Sequence, residues 1–133
     1  MKQLDVVIVN WNSGVQLWSC LSSLASVVKS NNFINRVVVV DNASTDNSFN
    51  ILDELDLPLK IIRNNENRGF AAACNQGAKG STADYLLFLN PDTRLFQESL
   101  DKAIKYMEDP GHKDVGIIGI QLLDENGRIC TEL

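Results

Sequence analysis

The chain has 133 residues, 44% of them hydrophobic and 22% charged, with 3 Pro and 8 Gly. That length suits one domain with a real hydrophobic core, and the composition excludes disordered, collagen-like and low-complexity classes. Twelve Lys plus Arg against seventeen Asp plus Glu leave a net charge of −5, which argues against a nucleic-acid partner or an anionic membrane surface, because both favour clustered positive charge.

The first apolar run, Val6 to Val9, is too short for a signal-peptide core or a membrane span, so the expected compartment is the cytoplasm. Because the run is apolar at every position, it reads as a strand covered on both faces. Leu17, Leu21, Leu24, Ala25 and Val28 then fall on one helical stripe, and Asn12 or Ser13 is placed to cap its start. Val37 to Val40 form a second buried strand. Ile51, Leu52 and Leu55 predict a short helix after Asp46, and Leu59 to Arg63 a weaker strand. Phe70, Ala71, Cys74 and Ala78 mark a third helix, Tyr85 to Leu89 another strand covered on both faces, and Leu100, Ala103, Ile104 and Met107 a fourth helix, stopped at Asp109-Pro110-Gly111. Val115 to Ile120 predict a last buried strand. Leu122-Leu123 and Arg128-Ile129 flank Asp124-Glu125-Asn126-Gly127, the pattern of a C-terminal hairpin.

Strands and helices thus alternate, as in right-handed βαβ units. The expected fold is α/β: a Rossmann-like, mostly parallel sheet flanked by helices. Such sheets bind ligands outside the carboxyl ends of their strands, so the residues just after each run carry the functional information. They are Asn10-Trp11-Asn12-Ser13-Gly14, Asp41 to Asp46, Arg63 to Gly69, and Asn90-Pro91-Asp92. Turns and helix caps also use Asn, Asp, Ser and Gly, so each has a plain structural alternative. Asp41 faces the ligand crevice or accepts an Asx-turn bond. Asp46 suits a helix N-terminus. Arg68, beside the start of the third helix, meets an anion or is a solvated surface charge. Asp92, in a proline-stiffened turn, binds a hard divalent cation or caps the next segment.

Electrostatics links these acids. If Asp41, Asp46 and Asp92 line one crevice, each repels a diphosphate charge by about 4 kcal/mol at 4 Å with an effective dielectric of about 20, and a divalent cation reverses the sign.

Other motifs fail. Gly77 to Thr82 lacks P-loop order and reads as a helix end, no G-x-G-x-x-G comes after the first strand, and the single histidine, His112, sits beside Gly111 in a loop-like stretch. Cys20, Cys74 and Cys130 include no C-x-x-C pair, which speaks against a disulfide framework or a zinc knuckle.

Four segments carry a resemblance: Val7-Ile8-Val9-Asn10-Trp11-Asn12, Val40-Asp41-Asn42-Ala43-Ser44-Thr45-Asp46, Asn67-Arg68-Gly69-Phe70 through Gly77, and Leu87-Phe88-Leu89-Asn90-Pro91-Asp92-Thr93. Their order and spacing resemble the N-terminal, donor-binding half of family 2 glycosyltransferases with the GT-A fold, in particular those similar to bacterial rhamnosyltransferases. The resemblance implies inverting transfer of a sugar from a nucleoside-diphosphate donor, a UDP- or dTDP-sugar, to the hydroxyl of a glycan or lipid-linked acceptor. It implies Val9 and Asn10 beside the base, Asp41 at the nucleoside, and Asn12, Ser44, Asp46, Asn67, Arg68, Gly69, Asn75 and Asn90 along the donor. Asp92 would be the metal-binding aspartate, with Mg²⁺ or Mn²⁺. Asn90 stands where the first acid of a D-x-D pair would be.

The same resemblance implies that residues 1–133 are one nucleotide-sugar-binding domain, truncated, with the general base and most of the acceptor site beyond position 133. It further implies work at the inner face of a membrane and, through apolar surface left uncovered, self-association. Two alternatives accompany it. One is a non-catalytic nucleotide-sugar binding fragment. The other is a phosphoaspartate phosphotransferase, because Asp41 to Thr45 is similar to D-x-D-x-T with Ala43 in place of the second acid.

Overall fold

The computed structural model describes residues 2–30, 33–50 and 52–131. The chain divides into two compact units, Met1–Gln97 and Glu98–Leu133. The first holds β1 (Leu4–Asn10), α1 (Val15–Ser30), β2 (Ile34–Asp41), β3 (Leu59–Arg63), α2 (Phe70–Ala78) and β4 (Tyr85–Phe88). These four strands form a wholly parallel sheet in the order β3-β2-β1-β4. The chain steps outward from β1 to β3 and then returns to β4 on the other side of β1, which makes the β1–β4 junction the topological switch point.

Right-handed crossovers put α1 and the β2–β3 connection on one face and α2 on the other. On the α2 face, Val38, Val40 and Ala73 form a buried cluster with Val9 and Ile62 packed on it. Gly77 lets α2 approach closely, since a Cβ there would lie 2.4 Å from Val7 Cγ1 and 3.0 Å from Val40 Cγ2. Leu17, Cys20, Leu21, Leu24, Ala25 and Val27 form the buried stripe of α1. Val27 takes the place in this stripe expected of Val28, which is half-buried. At the amino end of the sheet, the buried Asp5 carboxylate accepts from Arg36 Nε at 2.6 Å, Ser81 Oγ at 2.6 Å and Asn35 Nδ2 at 2.9 Å. Burial pushes its carboxyl up most strongly, but Ser81, Arg36 and Asn35 together outweigh that and hold it below the usual range.

Three expectations are corrected. The helix predicted after Asp46 is only a 3₁₀ turn, Leu52–Glu54, and Ile51 lies outside the described residues. Asp46 and Ser48 bond each other there, and Asn50 N–H bonds Asn47 O, so local polar contacts displace the helical ladder. β4 is covered on one face only, leaving Leu86 42% and Phe88 47% exposed. Val115 to Ile120 is not a strand, and Ile117 is 92% exposed. An apolar run becomes a strand only where a neighbour satisfies its backbone groups, and no ladder involving this run is present among the described residues.

The second unit holds α3 (Ser99–Glu108) and a 3₁₀ turn, Pro110–His112. His112 stacks on Tyr106 with ring centroids 3.9 Å apart. A bridge between Leu123 and Ile129 closes the expected hairpin, with Gly127 at φ +76° and Asp124 Oδ1 accepting from Asn126 and Arg128 N–H. Among the described residues, no helix is long and apolar enough to cross a membrane.

Candidate functional site

Parallel pairing brings the ends of all four strands to one edge. Asn10 pairs with Asp41, Asp41 with Arg63, and Val7 with Phe88. Beyond the ladder, Asn42 N–H still bonds Asn10 O, Asn64 N–H bonds Asp41 O, and Leu89 N–H bonds Val7 O. The loops after these strands therefore leave the sheet side by side.

Asn10 and Asp41 are buried at the centre of this edge. Asp41 Oδ1 accepts from Asn10 Nδ2 at 3.2 Å and Ser44 Oγ at 2.5 Å, while Oδ2 accepts from Ser44 N–H at 3.2 Å. Asp41 thus makes the Asx-turn contact expected of it, at the carboxyl edge of the sheet. Asn10 Nδ2 also donates to Ser44 Oγ at 3.1 Å, which leaves Asn10 Oδ1 buried without a partner among the described residues. The Asp41 carboxylate fixes that amide orientation, since a flipped amide would face oxygen to oxygen.

A second set of bonds ties the first loop to the second. Asn12, at φ +50°, accepts through Oδ1 from Thr45 N–H at 2.8 Å and Asp46 N–H at 3.2 Å. It is not the cap of α1 that the sequence suggests, because its side-chain oxygen is committed to the β2 loop. Asp46 accepts from Gly14 N–H at 2.8 Å and from Ser48 N–H and Oγ. The Ser48 hydroxyl is the largest influence on its carboxyl and holds it below the usual range, with the Ser48 and Gly14 N–H groups assisting against partial burial.

The β3–α2 loop is held by residues that the sequence pattern does not single out. Asn42, 2% exposed, donates through Nδ2 to Gly69 O at 3.1 Å and accepts through Oδ1 from Asn64 Nδ2 at 3.0 Å and Arg68 N–H at 3.4 Å. Asn64 and Gln76 then exchange amide bonds of 2.9 and 2.8 Å. A signal for them existed. Gln76 lies beside the inward-facing Ala73 and Gly77, and a polar side chain on a helix's buried face demands a partner. Gly69, at φ +83°, precedes α2, and Asn67 Oδ1 accepts its N–H at 2.9 Å. Arg68 and Asn75 are exposed, and the Arg68 guanidinium forms no ion pair among the described residues. Val9 packs into the core beside α2.

The fourth loop is a proline turn. Asn90 O accepts from Thr93 N–H at 3.2 Å and Thr93 Oγ1 at 2.6 Å, which places Pro91 and Asp92 at its two central positions. Asp92 is exposed there and makes no hydrogen bond among the described residues, so its oxygens are free to bind. No group of three or more His, Cys, Asp or Glu side chains gathers among the described residues, so Asp41, Asp46 and Asp92 do not form a cluster. A hard cation that takes one carboxylate and completes its shell with phosphate and water fits this donor set, whereas a cation needing an all-protein cage does not.

The profile described as glycosyl transferase family 2 matches residues 5–127. The chain belongs to that family. The poly(ribitol-phosphate) beta-N-acetylglucosaminyltransferase TarP of Staphylococcus aureus is 28% identical to this family member over 132 residues, covering 96% of the chain and 39% of the relative. Among solved structures, the mannosyltransferase PcManGT from Pyrobaculum calidifontis, in complex with GDP-Man and Mn²⁺, superposes with a TM-score of 0.74 at 24% identity, over 82% of this chain and 33% of that one. TarS of S. aureus, in complex with UDP-GlcNAc, superposes with a TM-score of 0.70 at 27% identity, over 80% and 31%. The α/β architecture is therefore that of GT-A glycosyltransferases. The chain spans about a third of the length of the curated relatives it matches. Family membership also disposes of the phosphoaspartate alternative, and the geometry agrees, because Asp41 is 4% exposed with both carboxylate oxygens bonded.

Proposed function

We propose that this family 2 glycosyltransferase domain binds a nucleoside-diphosphate sugar at the carboxyl edge of its sheet and serves inverting transfer of that sugar to an acceptor hydroxyl in glycan or polysaccharide synthesis. The observation that carries this is the placement of Asn10, Asp41 and the Asp92 turn along one edge, with Asp92 exposed and unpaired beside the switch point. The UDP-GlcNAc on TarS and the GDP-Man with Mn²⁺ on PcManGT support a sugar nucleotide and a divalent cation as the ligands.

In this reading, Asn10, Asn12, Asp41, Ser44 and Asp46 form the nucleoside end, with the backbone at Val9 flanking the base. Asn67, Arg68, Gly69 and Asn75 lie along the diphosphate and sugar, where Arg68 opposes negative charge. Asn90 and Asp92 face the diphosphate, and Asp92 would hold Mg²⁺ or Mn²⁺. A cation there supplies Lewis-acid stabilisation of charge on the leaving diphosphate. The buried network around Asp41 is built before ligand arrives, so the nucleoside meets donors and acceptors already oriented.

The resemblance to rhamnosyltransferase-like members of the family extends this reading to a UDP- or dTDP-sugar, with rhamnosyl transfer as the specific activity, and to a glycan or lipid-linked acceptor at the cytoplasmic face of a membrane. The exposed Leu86 and Phe88 support contact with further protein surface, a second copy of this chain included. Donor binding is the part assigned to these residues, and Asp124 is committed to its own turn, not to an acceptor hydroxyl.

The test is thermal stabilisation by UDP and dTDP with and without Mn²⁺. At about one hundred times Kd the parent gains about 2.7 kcal/mol, and Asp92→Ala loses the Mn²⁺-dependent part. A variant stabilised as strongly as the parent would remove Asp92 from the cation site.

A further inference from the structure

We infer that Cys20 and Ser23 of α1 are positioning residues for Asp92, holding the two legs of the turn that presents its carboxylate. This rests on the assignment of Asp92 to the cation site. Beyond Leu89, whose N–H is fixed to Val7 O, the chain leaves the sheet. Two of its anchors, on either side of Asp92, lie on one turn of α1. Cys20, wholly buried, donates its thiol to Asn90 O at 3.6 Å, the same carbonyl that Thr93 bonds twice to close the turn. Ser23 Oγ donates to Cys20 O at 2.7 Å and accepts from Leu95 N–H at 3.1 Å.

The geometry gives Ser23 a defined direction. Its single hydroxyl hydrogen is committed to the helix backbone three residues back, so a lone pair remains for Leu95. Residues 20 and 23 share a helix face, and they reach the chain before and after Asp92. The apex is thereby held from both sides while its carboxylate stays exposed. Pre-organisation of this kind matters because a ligand group is effective only when the shell supporting it fixes its place.

There is a second consequence. α1 begins directly after Asn12 and Gly14, which bond the β2 loop through Thr45, Asp46 and Ser48. Cys20 lies five residues into the helix, about 7.5 Å along its axis at about 1.5 Å per residue. One rigid helix therefore sets the position of the Asp92 turn relative to the Asp41–Asp46 loop, the two ends of the site that a sugar nucleotide would bridge.

The experiment compares the parent chain with Ser23→Ala, Ser23→Thr, Cys20→Ala and Asp92→Ala. Amide hydrogen exchange at Thr93 and Leu95 is read without ligand, Mn²⁺ affinity in the presence of UDP by the electron paramagnetic resonance of free Mn²⁺, and UDP affinity in EDTA. Loss of one hydrogen bond predicts up to about tenfold faster exchange at Leu95 in Ser23→Ala, and about threefold to tenfold weaker Mn²⁺ binding. UDP affinity in EDTA stays at the parent value, and Ser23→Thr, which keeps the hydroxyl, restores both losses. Cys20→Ala weakens Mn²⁺ binding in the same way. If Asp92→Ala loses Mn²⁺ while Ser23→Ala and Cys20→Ala bind it like the parent, the positioning role is overturned and the Asp92 assignment stands. If Asp92→Ala binds Mn²⁺ like the parent, the assignment falls and takes the inference with it. Unchanged Leu95 exchange in Ser23→Ala overturns the inference whatever the ligand does.

Discussion

Removing the Asn42 side chain tests how much of the hold on the β3–α2 loop comes from this one buried amide. Asn42→Ala deletes two bonds of 3.0 and 3.1 Å, to Asn64 and Gly69, and a longer one of 3.4 Å from Arg68 N–H. The groups left behind are not orphaned. Asn64 Nδ2 keeps Gln76 Oε1, Gly69 O keeps the Ala73 N–H, and Arg68 is exposed to water. The cost is therefore the net value of the bonds, about 1 kcal/mol each, not the full penalty of buried unpaired groups, so a loss of about 2–3 kcal/mol is expected. Asn42→Asp has nearly the same shape but turns the donor facing Gly69 O into an acceptor and buries a charge, so it should cost more than Asn42→Ala near neutral pH. Burial raises the carboxyl pKa of such a variant in the folded state. Its excess penalty is thus present above that pKa and fades as pH falls and the protonated group can donate to Gly69 O. Urea midpoints at constant slope, measured from neutral to mildly acidic pH, check both claims. A loss below about 0.5 kcal/mol for Asn42→Ala, or greater stability of Asn42→Asp than of Asn42→Ala at neutral pH, would refute the picture of a single amide clamp.

Two further outcomes are expected. Gly77→Ala gains up to about 1 kcal/mol of helix propensity but drives a methyl to 2.4 Å from Val7 Cγ1, an overpacking cost of about 1–3 kcal/mol, so a net loss is expected. Adding Val7→Ala should recover part of it, and a double-mutant cycle with no coupling would contradict the close contact. Iodoacetamide under native conditions at about pH 8 should modify Cys130, which is exposed, well before Cys20 and Cys74. Burial first, and then the Asp92 charge, push the Cys20 thiol up to about 11 against a hydrogen bond with Thr93, so it stays protonated. Peptide mapping that finds Cys20 labelled as fast as Cys130 would refute this.

The parallel sheet was legible because Val6 to Val9 and Val37 to Val40 are central strands buried on both faces, a state that the residue run itself reports. The same rule misled at Val115 to Ile120, because it detects the wish for burial and not the presence of a partner strand. The helix after Asp46 failed for a different reason. Its apolar spacing was adequate, but the Ser, Asn and Asp residues before it spend the backbone on local bonds. At the site, strand ends located Asn10, Asp41 and Asp92 correctly at one edge. What the sequence could not show was the division between Asp41, which is enclosed by donors, and Asp92, which is open. Nor could it show that Asn42, one residue from Asp41, turns toward the next loop. Side-chain direction at a strand end depends on the register of neighbours, and register is a tertiary fact.

That division bears on how an acidic chain could bind a diphosphate at all. Three bare carboxylates along one edge would each oppose an incoming phosphate charge by several kcal/mol at about 4 Å. In the folded site, Asp41 and Asp46 already face N–H and O–H donors from Asn10, Ser44, Gly14 and Ser48. Their negative charge is met locally by oriented dipoles, which lowers the potential that they project into the crevice. Asp92 alone retains an unmet charge, at the apex of a turn that both flanking segments tie to α1. On the function proposed above, a cation would therefore have one strong point of attachment, with the remaining coordination positions left for the phosphates. On the same proposal, Asn90→Asp would raise the affinity for free Mn²⁺ if its carboxylate reached the cation beside Asp92, and it would then take a coordination position from the ligand; unchanged Mn²⁺ affinity would place residue 90 outside the shell.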